Sequence, residues 1–295
     1  MSYAIFDEDS YLANNPDVRS AVAQGFFASG LQHFQLIGLR EGRINVSPFW
    51  DEQRYLNANP DVRSAVNSRV FSSGLQHFIL SGENEQRPGA TIVDTIPGFN
   101  ENYYYVLYPT VSRAVASGQI SSAQTQYIRN GRFEGNTGFF SGTSSNDIIT
   151  GLGPSGNAIV GISVDINATV TGRPDPIPRS VGTGEVDVLI GGSGADRFGL
   201  GFGRSSSVSA IQRFYVGQGN NDYAYIVGFE SGKDLLQLAG SPNDYTTTSG
   251  AFSFAGNRTS GVSIFYNGDL IAAVEGVSSL QLAGQDTTAG SFTIT

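Results

Sequence analysis

The sequence predicts an α+β chain of two domains, in which amino-terminal helical-hairpin repeats precede a short parallel β-roll with a β-rich carboxyl-terminal cap. Three observations predict this fold. A long motif recurs early in the chain, and near Phe140 the composition changes to one rich in glycine, serine, asparagine and aspartate. After this change, glycine and aspartate recur with a spacing of nine residues. The predicted domains are residues 1–139 and 140–295.

The first domain is predicted from its repeats. The segments that recur 44 residues later are Tyr11–Val22, as Tyr55–Val66, and Ser29–Phe34, as Ser73–Phe78. A degenerate third copy around Tyr104 and Pro109 makes the repeats about 44–49 residues long. The Asn-Pro-Asp step suits a helix start, because proline has the φ of a first turn and the acid lies near the positive end of the helix dipole. Each repeat is expected to be a helical hairpin, with Gly38 and Gly82 ending the second helix in two of them.

The only two histidines, His33 and His77, occupy the same position in their repeats, beside a phenylalanine. A metal or general-base role is one interpretation. Because the third copy has Gln126 at this position, a packing role is favoured.

The second domain is predicted from nine-residue units. Gly142–Thr150 aligns with Gly182–Ile190, which runs directly into Gly191–Gly199. The last unit matches G-G-x-G-x-D-x-U-x, the calcium-binding parallel β-roll repeat. Glycines there are expected to turn the backbone with positive φ and bring carbonyl oxygens inward, while aspartate supplies the carboxylate oxygen that calcium prefers.

The predicted calcium site follows from these units. Its residues are Asp147, Asp187, Asp196, Gly182, Gly184, Gly191, Gly192 and Gly194, with Asp222 and Asp234 as further ligands at the boundary to the cap. The apolar residues two places after the aspartates are expected to start short strands that point into the roll: Ile149, Leu189 and Phe198. The alternative is ordinary asparagine and aspartate turns in a glycine-rich β domain that binds no ion.

Two further β segments are predicted around the roll. The insertion at about 154–180 is predicted to be a β-hairpin or loop between turns, because it contains alternating apolar and polar residues followed by several prolines. After residue 200, short β runs separated by turn residues predict a cap that closes the end of the roll. Asn267-Gly268 between two of these runs indicates a type I′ hairpin turn.

With these residues in place, the carboxyl-terminal half resembles the hemolysin-type (RTX) calcium-binding β-roll proteins. The Tyr-Leu-x-x-Asn-Pro-Asp-Val repeats resemble helical units that accompany such rolls in bacterial, especially cyanobacterial, proteins. The resemblance implies calcium-dependent folding, type I secretion through an uncleaved carboxyl-terminal signal, and a location outside the cell or on its surface. The roll units are few and interrupted, so roughly one to three Ca²⁺ ions are expected.

Composition and motifs narrow the function. A net charge of −9 disfavours nucleic acid and anionic membranes as partners. No apolar run is long enough for a transmembrane segment, and no cleaved amino-terminal signal is visible. Without cysteine, an H-E-x-x-H motif or a G-x-S-x-G elbow, the chain is not expected to be an enzyme. We expect a secreted calcium-binding structural protein of the cell surface that self-assembles as a homo-oligomer or filament in a surface layer, sheath or extracellular filament, with cell-surface polysaccharide as a further partner. The alternative is an accessory or binding module of an exported enzyme or adhesin.

Overall fold

The fold is mixed α+β. The computed structural model describes the chain except residues 1, 2, 4, 48, 49, 91–95, 153, 154, 170, 171, 193, 255 and 256. Internal contacts divide the chain into two compact units, Met1–Asp94 with Ile128–Asn130, and Thr95–Tyr127 with Gly131–Thr295. Most of the third helical repeat, up to Tyr127, therefore groups by its contacts with the strands, while Ile128–Asn130 group with the first two repeats. Within the described part of the chain, no helix has both the length and the apolar character needed to cross a membrane.

The helices are short and recur in the same order. They are α1 (Glu8–Asn14), α2 (Pro16–Ala23), α3 (Gly30–His33), α4 (Leu39–Glu41), α5 (Glu52–Ala58), α6 (Pro60–Asn67), α7 (Gly74–His77), α8 (Glu101–Leu107), α9 (Pro109–Ala116) and α10 (Ala123–Arg129), with π-helical turns at Phe34–Gly38 and Phe78–Gly82 and 3₁₀ turns at Gly131–Phe133 and Pro242–Asp244. The predicted helix starts at Pro16, Pro60 and Pro109 are confirmed. An additional helix precedes each proline, so a repeat holds more than the predicted hairpin.

Each repeat is held together by two side chains of its first helix. The Glu8 carboxylate accepts hydrogen bonds from the backbone N–H groups of Gly30 and Leu31 at the start of α3, and the Tyr11 hydroxyl lies 3.0 Å from Nδ1 of His33. The equivalent contacts are Glu52 with Gly74 and Leu75, Tyr55 with His77, Glu101 with Gln124, and Tyr104 with Gln126. Both histidines are buried beside aromatic rings, which agrees with the packing role.

Gly38 does not end its helix, which corrects the sequence prediction for the first repeat, whereas in the second repeat the helical segment ends at Gly82 as predicted. In the first repeat the helix continues through Glu41 and ends at Gly42, whose φ of 72° is left-handed. A Cβ on Gly38 would lie 2.3 Å from the Tyr11 hydroxyl oxygen, and one on Gly82 would lie 2.1 Å from that of Tyr55. Glycine is therefore needed there for the close approach of the tyrosine rather than for a turn.

The strands follow the third repeat. They are β1 (Phe139–Ser141), β2 (Ile148–Thr150), β3 (Ala158–Val160), β4 (Val164–Ala168), β5 (Pro174–Pro178), β6 (Val186–Ile190), β7 (Arg197–Gly199), β8 (Gly201–Phe202), β9 (Gln212–Arg213), β10 (Tyr223–Val227), β11 (Leu235–Ala239), β12 (Tyr245–Phe254), β13 (Asn257–Tyr266), β14 (Asp269–Glu275), β15 (Leu282–Asp286) and β16 (Ser291–Ile294). The first sheet has the order β1-β3-β7-β11-β16-β15 and the second has the order β12-β13-β14-β10-β6-β2.

From β1 to β12 the strands of the two large sheets alternate along the chain, while β4–β5 and β8–β9 form separate antiparallel pairs. β1, β3, β7 and β11 are parallel in the first sheet, and β2, β6, β10 and β14 are parallel in the second. β12 and β13 extend the second sheet by antiparallel pairing, and β15 and β16 extend the first. The chain thus passes back and forth between two layers, which places the end of each strand next to the equivalent end of the next strand in its own sheet.

The predicted inward positions and both predicted hairpins are confirmed. Ile149, Leu189 and Phe198 are buried on β2, β6 and β7. In the insertion, β4 pairs with β5 as an antiparallel hairpin, although residues 154, 170 and 171 lie outside the described part. Asn267 and Gly268 join β13 to β14 with positive φ at both positions, as a type I′ turn requires.

Candidate functional site

A ladder of buried side chains precedes the parallel strands of the first sheet. It consists of Asn157 before β3, Asp196 before β7 and Asp234 before β11, and we call it the aspartate ladder. The backbone N–H of Asn157 donates to Oδ1 of Asp196 at 2.8 Å, and the backbone N–H of Asp196 donates to Oδ1 of Asp234 at 2.8 Å. The second oxygens accept from backbone N–H groups four residues earlier, at Gly192 and Glu230. Each carboxylate therefore links two neighbouring turns of the chain through one oxygen and stabilises the turn that contains it through the other.

The carboxylates of the aspartate ladder are buried and already have hydrogen-bond donors. Asp196 is 1% exposed and Asp234 is fully buried, and burial raises the pKa of Asp196 to about 6 and raises that of Asp234. Both oxygens of both residues already accept hydrogen bonds from backbone N–H groups. Each N–H donor supplies partial positive charge to its oxygen, so a cation would add less here than at carboxylate oxygens that have no donor.

Two of the glycines predicted to support the calcium site have another role. Gly182 and Gly184 have the expected positive φ, but Gly191 and Gly194 do not, so the prediction is wrong for these two. A Cβ on Gly194 would lie 2.2 Å from the carbonyl oxygen of Ser155. Glycine is required there because two turns of backbone pass very close to each other.

Asp147 and Asp187 form a corresponding contact in the second sheet. The backbone N–H of Asp147 donates to Oδ1 of Asp187 at 2.8 Å, and the Tyr215 hydroxyl donates to Oδ2 at 2.7 Å. Oδ2 of Asp147 accepts from the backbone N–H and the hydroxyl of Thr143. Burial raises the pKa of Asp187 to about 6, against the opposing effect of the Tyr215 hydrogen bond. These carboxylates also find donors within the chain.

Three acidic residues at the starts of neighbouring strands are different. Glu185 precedes β6, Asp222 precedes β10 and Asp269 begins β14, and we call this group the acidic edge. One oxygen of each, Oε2 of Glu185, Oδ1 of Asp222 and Oδ1 of Asp269, is buried and has no hydrogen-bond partner in the described structure. Because β6, β10 and β14 are parallel neighbours, their starts meet at one edge of the second sheet.

The acidic edge is electrostatically unfavourable as it stands. Glu185 is only 8% exposed and Asp222 is fully buried. Burial, with repulsion from Asp187 and Asp147, raises the pKa of Glu185 to about 7. Burial also raises the pKa of Asp222, and the nearby charge of Asp269 adds to this effect. A buried carboxylate oxygen without a donor is costly, so this edge gains most from an added positive charge.

The chemistry of the acidic edge fits calcium. Calcium takes carboxylate and carbonyl oxygens as ligands, and those buried oxygens lack any other partner. In the part of the chain described here, no three acidic or histidine side chains converge closely enough to hold a metal ion by themselves. An ion at this edge would therefore complete its coordination with backbone carbonyls and water.

The structure places the residues of the predicted site at two different sheets. Asp196 and Asp234 belong to the first sheet, while Asp147, Asp187 and Asp222 lie at the second. Gly184 adjoins the acidic edge, since its backbone N–H donates to Oδ2 of Asp222 at 3.2 Å. Sequence reasoning missed Glu185 and Asp269. Their available signals were the position of Glu185 two residues before Asp187 and the Asn-Gly-Asp turn that contains Asp269.

Comparison with known proteins gives no family: no protein-family model matches the chain, and no curated protein gives a significant match.

Proposed function

We propose that this chain is a secreted structural protein of the cell surface whose second unit is a calcium-binding β-roll, and that it self-assembles there. The alternation of parallel strands between two sheets supports the β-roll interpretation. The observation that carries the calcium proposal is the acidic edge, where Glu185, Asp222 and Asp269 each leave a buried carboxylate oxygen without a donor.

Calcium would stabilise the second unit by replacing a repulsion with an attraction. Without the ion, the acidic edge must either stay partly protonated or keep uncompensated charges in a buried place, and both states cost free energy. Because the three carboxylates do not converge on one point, Asp222 at the middle strand would hold the ion together with Glu185 or Asp269 beside it, and backbone carbonyls and water would complete the coordination. When bound, calcium supplies the positive charge that backbone N–H groups supply to the aspartate ladder.

Self-assembly is supported by the open edge of the second sheet. β12 is an edge strand of ten residues that contains no charged side chain and no proline, and most of its residues are exposed. Such an edge presents unpaired N–H and C=O groups to another chain, and natural edges that avoid pairing usually carry charge or proline. A second copy that pairs with β12 extends the sheet beyond one molecule.

The calcium proposal is tested with Asp222→Asn and the exposed control Asp165→Asn, by calorimetric titration with Ca²⁺ and by thermal unfolding with and without chelator. The parent and the control are expected to bind Ca²⁺ and to be stabilised by it. Asp222→Asn is expected to lose this response and to be more stable than the parent in chelator, because it removes a buried charge. Equal Ca²⁺ binding by Asp222→Asn and the parent, or no binding by the parent, would overturn the proposal.

The assembly proposal is tested by placing charges on the edge strand. Thr246→Lys/Thr248→Lys changes two exposed residues of β12, and Thr110→Lys/Gln119→Lys is a control with the same added charge on exposed residues of the third helical repeat. Sedimentation velocity of the parent and the control in calcium is expected to show large ordered particles, and the β12 variant is expected to remain small. Assembly of both variants alike would contradict pairing at β12.

A further inference from the structure

A cavity of about 330 Å³ lies on the outer face of the first sheet, within the second unit. Its floor is formed by residues of β3 and β7, Ala158, Val160 and Gly199. These alternate along their strands with Ile159 and Phe198, which are buried on the opposite face. The volume lies at the lower end of the range of about 300–1,000 Å³ that is typical of small-molecule sites.

The walls of the cavity combine aromatic rings with prolines. Tyr103 of α8 stacks on Phe139 of β1 with ring centroids 4.8 Å apart and an interplanar angle of 28°. On another side Phe202 is held against Phe214 by an edge contact at 5.0 Å. Pro174 and Pro176 of the inserted hairpin complete the apolar wall. A rigid aromatic and proline wall is suited to the C–H face of a ring-shaped ligand.

The polar side of the cavity is positively charged, although the whole chain carries a net charge of −9. Arg197 and Arg204 line it, and neither guanidinium forms an ion pair with a carboxylate of the described residues. Nη1 of Arg197 donates to Oε1 of Gln237 at 3.0 Å, which fixes its direction. The Arg204 backbone N–H donates to the carbonyl of Ala289, which also lines the cavity.

The acidic residue of the cavity does not neutralise both arginines. Oδ2 of Asp175 accepts hydrogen bonds from the Ser206 hydroxyl and the Ser207 backbone N–H, at 2.7 Å and 2.9 Å. This carboxylate ties the loop after β8 to the inserted hairpin. The lining therefore holds two guanidinium groups and one carboxylate, and this excess of positive charge favours an anionic ligand.

From these features we infer that the cavity binds an acidic saccharide, with the carboxylate of a uronic acid at Arg197 and Arg204 and the sugar ring against the aromatic wall. A guanidinium binds a carboxylate with two parallel hydrogen bonds, and Gln237, whose amide also donates to the carbonyl of Gly201, holds Arg197 in place for this contact. An inorganic anion would use the arginines and leave the aromatic wall without a partner. The site is independent of the acidic edge, because it lies on the first sheet and the acidic edge lies at the second.

The test is calorimetric titration with tetragalacturonate, with maltotetraose as the uncharged ligand of equal length. The protein variants are Arg197→Gln/Arg204→Gln and the control Arg179→Gln, an exposed arginine of the inserted hairpin that does not line the cavity. The parent and the control are expected to bind tetragalacturonate, and the double variant is expected to bind it about tenfold or more weakly. Unchanged secondary structure by circular dichroism establishes that each variant is folded.

Saccharide binding by the variant Asp222→Asn distinguishes a failure of this inference from a failure of the calcium proposal. Asp222→Asn is expected to bind tetragalacturonate as the parent does, because Asp222 is remote from the cavity. Equal binding of maltotetraose, full competition by inorganic phosphate, equal binding by the double variant, or no binding by the parent would each overturn the inference. Loss of saccharide binding in Asp222→Asn would also overturn it, since the apparent site would then depend on calcium.

Discussion

The helical repeats and the parallel sheets both connect successive pieces of chain through buried polar side chains, but they differ in whether these side chains are fully paired. In the repeats, tyrosine reaches histidine or glutamine 22 residues away. In the aspartate ladder, a carboxylate reaches a backbone N–H 38 or 39 residues away. The acidic edge, in contrast, repeats an acidic residue on three strands without supplying donors for all of its oxygens.

A repeated buried acidic residue is therefore not by itself a ligand site. Asp196 matches the calcium-binding repeat, yet both of its oxygens accept N–H bonds. Glu185 and Asp269 lie outside the predicted ligands, yet each has a buried oxygen without a donor. Hydrogen bonding of the individual oxygens distinguishes a structural carboxylate from a candidate cation ligand. Substitutions of Asp196 and Asp147 test this distinction, and two further predictions test the buried contacts of the helical repeats.

The largest effect is expected from Asp196→Ala. Removal of the carboxylate leaves the N–H groups of Asn157 and Gly192 buried without an acceptor, at about 1–3 kcal/mol for each group. We therefore expect the free energy of unfolding to fall by roughly 3 kcal/mol or more, measured by urea denaturation. The matched control is Asp165→Ala, whose exposed ion pair with Arg179 is expected to contribute at most about 1 kcal/mol. Equal losses in the two variants would contradict a structural role for the ladder.

The next effect concerns the close approach inside a helical repeat. Gly82→Ala places a Cβ 2.1 Å from the Tyr55 hydroxyl oxygen and is expected to cost about 1–3 kcal/mol in urea denaturation. In a Tyr55→Phe background the oxygen is absent, so the same alanine substitution is expected to cost less. If the cost is equal in both backgrounds, the tyrosine contact is not the reason for the glycine.

A smaller effect is expected from pH. Burial lowers the pKa of His33 and of His77 below the ordinary value of about 6.5, so the unfolded chain takes up protons before the folded chain does. The stability contributed by the neutral histidines is therefore present above about pH 6.5 and is lost as the pH falls towards their lowered pKa values. His33→Gln/His77→Gln, which copies Gln126 of the third repeat, is expected to remove this dependence.

The histidine contribution is measured as the difference in unfolding free energy between parent and double variant at pH 7.5 and at pH 5, and the parent is expected to lose stability relative to the variant at the lower pH. Carboxylate contributions are common to both proteins and cancel in this difference. A difference that does not change with pH would show that the two histidines titrate alike in the folded and unfolded chain.

The smallest effect is expected from Asp147→Ala. This aspartate occupies the same motif position as Asp187, but it is only half-buried and accepts bonds from the exposed Thr143. Water can replace these bonds, so the loss is expected to be about 1 kcal/mol or less in urea denaturation. Ca²⁺ binding by the variant is expected to be retained. A loss as large as that of Asp196→Ala would show that motif position, rather than burial, sets the importance of these residues.

Local signals in the sequence were sufficient for much of the fold. Proline placed the starts of α2, α6 and α9, because its fixed φ matches a first helical turn. Short apolar runs predicted the positions of β10, β11, β13 and β14, and the Asn-Gly pair predicted the turn before β14. The prediction failed at Gly38 and Gly194, where glycine serves a close contact with a distant residue instead of a local turn.

Local sequence was enough to predict where several helices and strands lie and which residues point inward, because φ preferences and hydrophobic periodicity act over a few neighbouring residues. The hydrogen-bond partners of each aspartate follow from the folded arrangement of the turns. The Asp196 carboxylate is satisfied by an N–H 39 residues away, while Asp222 next to Glu185 is not fully satisfied. The reason is physical: hydrogen bonding and desolvation depend on the atoms that surround a group in space, and the strand pairing of the folded chain sets those atoms.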